Sequence, residues 1–146
     1  GAFRVLPPVF HRFGAEQAFC GPVHTVRAPE DNSRVREAVN SPGEGRVLVV
    51  DAGGSLRCAL VGGNLAQAAA RNGWAGLVVD GCVRDLAELR AAGLPIRALA
   101  AMPLRSVKRG EGQAGEPVHI QGVPVRPGDW LYADEDGIVV ADRSLT

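Results

Sequence analysis

Two short stretches of this 146-residue chain carry residue types from which a reactive site could be built. Arg84-Asp85 pairs a planar cation with a carboxylate, and Gly62-Gly63-Asn64-Leu65 offers backbone amides with little side chain in the way. A lone carboxylate such as Asp85 can hold a magnesium-type ion, because that ion keeps several waters and asks for few protein ligands. The guanidinium of Arg84 suits a carboxylate or the oxygen of a developing enolate. Amides that open a helix bind anions without needing any side chain. Gly62, Gly63, Asn64 and Leu65 could therefore receive the carboxylate of a small acid. Each stretch also has a plainer reading. Asp85-x-x-Glu88 has the pattern of a capping box, in which Asp85 accepts an amide near Glu88 and Glu88 reaches back. The glycines could simply turn the chain.

The elements around these stretches must bring them together. Leu65 to Ala70 is rich in good helix formers, with Asn64 in the N-cap position and Asn72-Gly73 as the stop. Ala75 to Val79 is a short apolar run suited to a strand buried on both faces. Asp80 to Asp85 then reads as a polar turn, and a second helix follows from Arg84-Asp85. Ligands of open α/β sheets settle beyond the carboxyl ends of strands, so the two turns are expected to face one cleft. Before this centre, residues 3–19 show no clean period and read as an irregular arm or edge. Gly21 to Arg27 alternates like a half-exposed strand, Arg34 to Val39 forms a short helix, and Arg46 to Asp51 is a buried strand. After it come a strand at Ile96 to Ala100 and a charged glycine-rich loop from Ser106 to Gly112. Four short strands then alternate with Pro-Gly-Asp and Asp-Gly turns. The expectation is one α/β domain over residues 1–146, with few helices and a β-rich, barrel-like core.

Composition narrows the function classes. Sixteen basic and sixteen acidic residues cancel, so the balance gives no reason to expect direct nucleic-acid binding or an anionic membrane surface. Cys20, Cys58 and Cys82 are scattered without a CxxC pair, which fits a reducing, cytoplasmic setting and argues against zinc. Ala52-Gly53-Gly54 lacks the spacing of a dinucleotide turn, and no P-loop lysine follows it. His11, His24 and His119 read as strand or surface residues. Asp134-Glu135-Asp136-Gly137 reads as a hairpin turn, and Lys108-Arg109 as part of a solvated loop.

Several blocks, in order, resemble one family. They are Gly-Gly-Asn-Leu-Ala at 62–66, Asn-Gly-Trp at 72–74, Val-Val-Asp-Gly-Cys-Val-Arg-Asp at 78–85, and Ser-Val-Lys-Arg-Gly-Glu-Gly at 106–112. Val-Arg-Pro-Gly-Asp at 125–129 and Tyr-Ala-Asp-Glu-Asp-Gly-Ile-Val-Val at 132–140 complete the set. Together they are similar to the RraA-like family, which holds both regulators of ribonuclease E activity and 4-hydroxy-4-methyl-2-oxoglutarate aldolases. The resemblance implies a swivelling β/β/α fold assembled as a homotrimer, with sites near subunit boundaries. For the aldolase members it implies a class II mechanism on a keto-acid substrate. Mg²⁺ or Mn²⁺ supports a pyruvate enolate there, and oxaloacetate decarboxylation is a side activity. Carried to this sequence, it makes Asp85 the metal anchor and Arg84 the contact to the substrate oxygen. The amides of Gly62, Gly63, Asn64 and Leu65 become the carboxylate holder. The alternative it offers is a trimeric regulator that binds a ribonuclease E-type protein. One departure stands out. Active members read Asp, twenty residues, Arg-Asp, whereas Gly63 holds the first position here, so a carboxylate is expected to be missing from the site. An acidic group from a neighbouring subunit's C-terminal segment is also implied, and none is evident before Thr146.

Overall fold

The computed structural model describes residues 3–146. In chain order the elements are β1 (Phe3–Val5), β2 (His11–Gly14), β3 (Phe19–Arg27), α1 (Ser33–Val39), β4 (Val47–Asp51), β5 (Ala59–Val61), α2 (Gly63–Arg71) and β6 (Gly76–Val83). They continue with α3 (Leu86–Ala92), β7 (Pro95–Ala101), β8 (Gln113–Ala114), β9 (Val118–Ile120), β10 (Val123–Val125), β11 (Trp130–Ala133) and β12 (Ile138–Ala141). A parallel centre, β3-β4-β6-β7, extends antiparallel through β11, β12 and β1 on one side and β2 on the other. β9 and β10 form a separate hairpin. Among the described residues no helix is long and apolar enough to cross a bilayer.

The central strands are apolar on both faces because both faces are covered. Leu48, Val50, Leu77 and Val79 point into one core with Val35 and Val39 of α1, Ala66 and Ala69 of α2, and Leu89 of α3. Val47, Val49 and Val78 point into a second core, shared with Ile120, Val125, Leu131 and Val140. That sharing brings β11 and β12 over the same face as the β9–β10 hairpin, so the sheet wraps around its second core. Helices, sheet and a further β layer make the expected β/β/α arrangement. Among the described residues it is a mixed α/β fold with three helices and one large sheet.

Three local expectations need correcting. Of the irregular arm or edge expected over residues 3–19, the edge is what forms, with β1 and β2 at the two sides of the sheet rather than an irregular run throughout. The polar turn expected from Asp80 is instead the last half of β6, which runs buried to Val83. Asp80 survives in the strand because Gln121 donates to it twice, from Nε2 at 2.7 Å and from its backbone N–H at 3.3 Å. A register shift against β7 between Val79 and Cys82 absorbs the irregularity. Finally, α2 starts two residues earlier than expected: Gly62 is its N-cap, and Asn64 lies exposed in the first turn.

Candidate functional site

β5 is only three residues long, yet it places the site. It pairs in parallel with the carboxyl end of β6, aligning Ala59 with Cys82 and Val61 with Val83. The Arg84 N–H donates to the Val61 carbonyl at 3.0 Å, so the two chains leave the sheet side by side. One turns into α2 at Gly62, and the other turns into α3 at Asp85. The sequence-predicted Gly62, Gly63, Asn64, Leu65, Arg84 and Asp85 all line one cleft of about 410 Å³.

Asp85 decides between its two readings. Its backbone is left-handed (φ 63°, ψ 52°), and its side chain makes no capping bond to α3. The carboxylate crosses instead to the other turn, where Oδ2 accepts the Gly63 N–H at 3.0 Å. A non-glycine residue in this region carries a strain of order 1 kcal/mol or more, the kind that surrounding structure maintains at working sites. The first helical bond of α2 runs from the Ala66 N–H to the Gly62 carbonyl. With the Gly63 amide taken by Asp85, the amides of Asn64 and Leu65 remain open at the positive end of the helix.

The glycines are required by space rather than by φ. Gly62 is extended, but a Cβ there would lie 2.7 Å from Asp85 Oδ2 and 3.3 Å from Arg84 Nε. A Cβ on Gly63 would overlap the Glu88 carboxylate and sit 2.7 Å from Glu88 Cβ. Glu88 therefore fills the volume that a side chain at 63 would take. The Glu88 carboxylate, one turn beyond Asp85, thus stands against Gly63 but does not line the cleft.

The remaining walls were not legible beforehand. Arg36 and Asn40 of α1, Arg71 of α2, and Arg105 and Lys108 of the following loop also line the cleft. Five cationic side chains thus face one lining carboxylate, Asp85. Lys108 is a cleft residue rather than only a solvated one. Asn32 closes the floor; its Nδ2 donates to the Leu60 carbonyl at 3.1 Å, and its buried Oδ1 has no partner. Helical spacing was the available signal, because Asn32, Arg36 and Asn40 recur every four residues and Asn64, Ala68 and Arg71 share a face of α2. His11, His24 and His119 lie outside the cleft.

A larger cavity, about 570 Å³, is lined by Val5, Phe19, Tyr132, Ile138 and Val139, with only Asp134 and Asp136 for charge. It holds no cation and no paired donors, so chemistry favours the smaller cleft. Among the described residues no three His, Cys, Asp or Glu side chains converge as a metal cluster. The donor set still fits a magnesium-type ion. Asp85 keeps Oδ1 free of hydrogen bonds, Glu88 lies close by, and few protein ligands are needed.

Residues 4–140 match the family model RraA-like: Aldolase/RraA. A protein of Albidiferax ferrireducens, provisionally named 4-hydroxy-4-methyl-2-oxoglutarate aldolase, is 66% identical over 99% of this chain and 88% of its own length. A protein of Alkalilimnicola ehrlichii with the same provisional name is 59% identical over 97% of this chain and 88% of its own. The RNA-processing inhibitor RraA from Thermus thermophilis superposes with a TM-score of 0.95 at 48% identity, covering 99% of this chain and 88% of that one. A Geobacillus kaustophilus structure described as an S-adenosylmethionine:2-dimethylmenaquinone methyltransferase also gives 0.95, at 42% identity and with 99% and 89% coverage.

Proposed function

We propose, for a chain that belongs to the RraA-like family, a carbon–carbon lyase that cleaves 4-hydroxy-4-methyl-2-oxoglutarate-type keto acids to pyruvate and also decarboxylates oxaloacetate. The single observation that carries this reading is the hydrogen bond from the Gly63 N–H to Asp85 Oδ2. It fuses an anion-binding helix start, an arginine and a carboxylate into one cleft, as such a reaction requires.

Asp85, with Glu88 beside it, would hold Mg²⁺ or Mn²⁺. The bound metal supplies a Lewis acid that polarises the keto-acid end of the substrate. The rest is done by the chain itself. The open amides of Asn64 and Leu65 receive the carboxylate next to the keto group. Arg84 contacts the keto oxygen, where negative charge grows as the bond breaks, so its contribution is larger in the transition state than in the ground state. In the aldol direction the substrate hydroxyl gives up its proton as the carbon–carbon bond breaks. The bonding pair passes to the pyruvate fragment as an enolate, which takes up a proton to finish. Glu88, whose carboxylate stands against Gly63, would receive the hydroxyl proton, directly or through water. In oxaloacetate the same pair is released by loss of carbon dioxide, so no hydroxyl proton is involved. Arg36, Arg105 and Lys108 complement the second carboxylate that both substrates carry.

We further propose a homotrimer, with the cleft near a subunit boundary. Light scattering should then give a mass near three times the 15.3-kDa chain. The experiment that tests the lyase reading is pyruvate release from 4-hydroxy-4-methyl-2-oxoglutarate by the purified protein with Mg²⁺. Release that is abolished in Arg84→Ala supports it, and release no faster than without protein contradicts it.

A second reading is favoured by the likeness to the Thermus RNA-processing inhibitor. The trimer surface would then bind a ribonuclease E-type protein. Such a complex should be indifferent to Asp85→Ala, and the failure of pull-down with that class of ribonuclease would remove this reading.

A further inference from the structure

Residues 105–112 carry Arg105 and Lys108 to the cleft, yet none of them packs into either hydrophobic core. The Ser106 N–H pairs the start of this loop with the Ala59 carbonyl, and Arg34 donates to the Gly110 and Gly112 carbonyls, but its middle is held by a carboxylate that touches no part of the cleft. Asp31 is wholly buried in the turn before α1. Its Oδ1 accepts the Ser33 hydroxyl at 2.6 Å and the Ser33 N–H at 2.8 Å. Its Oδ2 accepts the backbone N–H groups of Arg109 at 2.6 Å and Glu111 at 3.3 Å. The Ser33 hydroxyl in turn accepts the Gly110 N–H at 2.9 Å. Three consecutive loop amides therefore end on the Asp31–Ser33 unit. Two backbone bonds at 3.2 Å, Asn32 N–H to the Val107 carbonyl and Val107 N–H to the Glu30 carbonyl, flank Lys108 on its other side. Burial alone would raise the Asp31 pKa. The hydrogen bonds from Ser33, Arg109 and Glu111 outweigh it and hold the group at about 2, so it stays an acceptor at any working pH.

We propose that Asp31 is a positioning residue of the site, holding through these amides the part of the loop that presents Lys108 to the substrate's far carboxylate. This rests on the keto-acid reading of the cleft. A carboxylate is the only common side chain that can accept from all these donors at once. In Asp31→Asn the amide nitrogen brings further donors against them, and the loop loses its anchor. The effect should fall on KM. Arg84, Asp85 and Glu88 are held by β5, β6 and α3, which the Asp31 side chain does not touch.

The test compares wild type, Asp31→Asn, Lys108→Met and the double variant on oxaloacetate with Mg²⁺, together with amide hydrogen exchange at residues 109–111. Each single variant should raise KM roughly tenfold, and the double variant should add little, because both lose the same contact. Exchange at 109–111 should accelerate in Asp31→Asn, with kcat within about twofold of wild type. Multiplying KM effects, an unchanged KM, or unchanged loop exchange would each overturn the proposal. Should Asp31→Asn not fold, Ser33→Ala removes one link and should show a smaller KM rise with the same non-additivity. Its absence counts against the proposal. A wild-type protein inactive on oxaloacetate would contradict the lyase reading alone. Calorimetric affinity for oxalate then decides, weaker in Asp31→Asn if Asp31 positions the loop and unchanged if it does not.

Discussion

At the scale of single residues, the site rests on who occupies the space around Gly63. Its Cβ position belongs to the Glu88 side chain, so Gly63→Ala should displace the carboxylate it faces. We expect activity to fall more than tenfold while stability falls by only about 1–3 kcal/mol, the usual cost of local overpacking. Turnover and thermal melts on the same preparation check this. A sharper version moves the acid across the gap. Glu88→Ala alone should lose most activity, and adding Gly63→Asp should restore a substantial part of it, since the carboxylate then enters the same volume from α2. The sequence shows Gly63 where a carboxylate is expected, and the structure puts the Glu88 side chain against it. Glu88 was visible too, but its capping-box spacing to Asp85 gave it a local duty. Only the left-handed backbone of Asp85, which turns its carboxylate towards Gly63, frees Glu88 from that duty.

At the scale of elements, two buried carboxylates tie distant segments of the chain together, and they respond to pH in opposite senses. Asp31 is held low, at about 2, against an ordinary value near 3.8. Its stabilisation is complete above the ordinary value and is lost as pH falls towards 2. Asp31→Asn should therefore flatten the acid limb of stability, measured as melting temperature from pH 5 down to 2. Asp80 is raised, first by burial and further by the nearby Asp51, although Gln121 partly offsets this. The folded state then binds its proton more tightly than the unfolded state does. Stability declines as pH rises from the ordinary carboxylate value through the raised one. Asp80→Asn should remove that decline and leave the protein relatively more stable at pH 7 than at pH 4, compared with wild type. Most elements were legible because their signals were local: alternation in β3, a solid apolar run in β4, and Asn72-Gly73 closing α2. β6 was cut short because Asp80-Gly81 looks like a turn. The residue that satisfies Asp80, Gln121, lies 41 positions further on, where no local pattern could reveal it.

At the scale of the whole molecule, a balance of sixteen basic and sixteen acidic residues conceals a segregated field. Five cations collect around one cleft from α1, α2, the start of α3 and the loop after β7. Net charge reports none of this, and the sequence could show it only once the fold had brought residues 36, 71, 84, 105 and 108 together. The consequence is a salt-dependent affinity for anionic substrates. KM for oxaloacetate should rise steadily between about 0.05 and 0.5 M salt, as the screening length shrinks below the spacing of the charges, whereas an uncharged keto compound should show no such trend. We propose that the Gly62–Leu65 turn and Arg84-Asp85 form a metal-assisted lyase site. The most direct measurement is oxaloacetate decarboxylation by wild type and Asp85→Ala, each with Mg²⁺ or Mn²⁺ and with a chelator. Metal-dependent turnover is expected that the chelator abolishes and that Asp85→Ala reduces by about 100-fold or more, with the oligomer intact. Turnover indifferent to both metal and Asp85, or background rates under every condition, would contradict it.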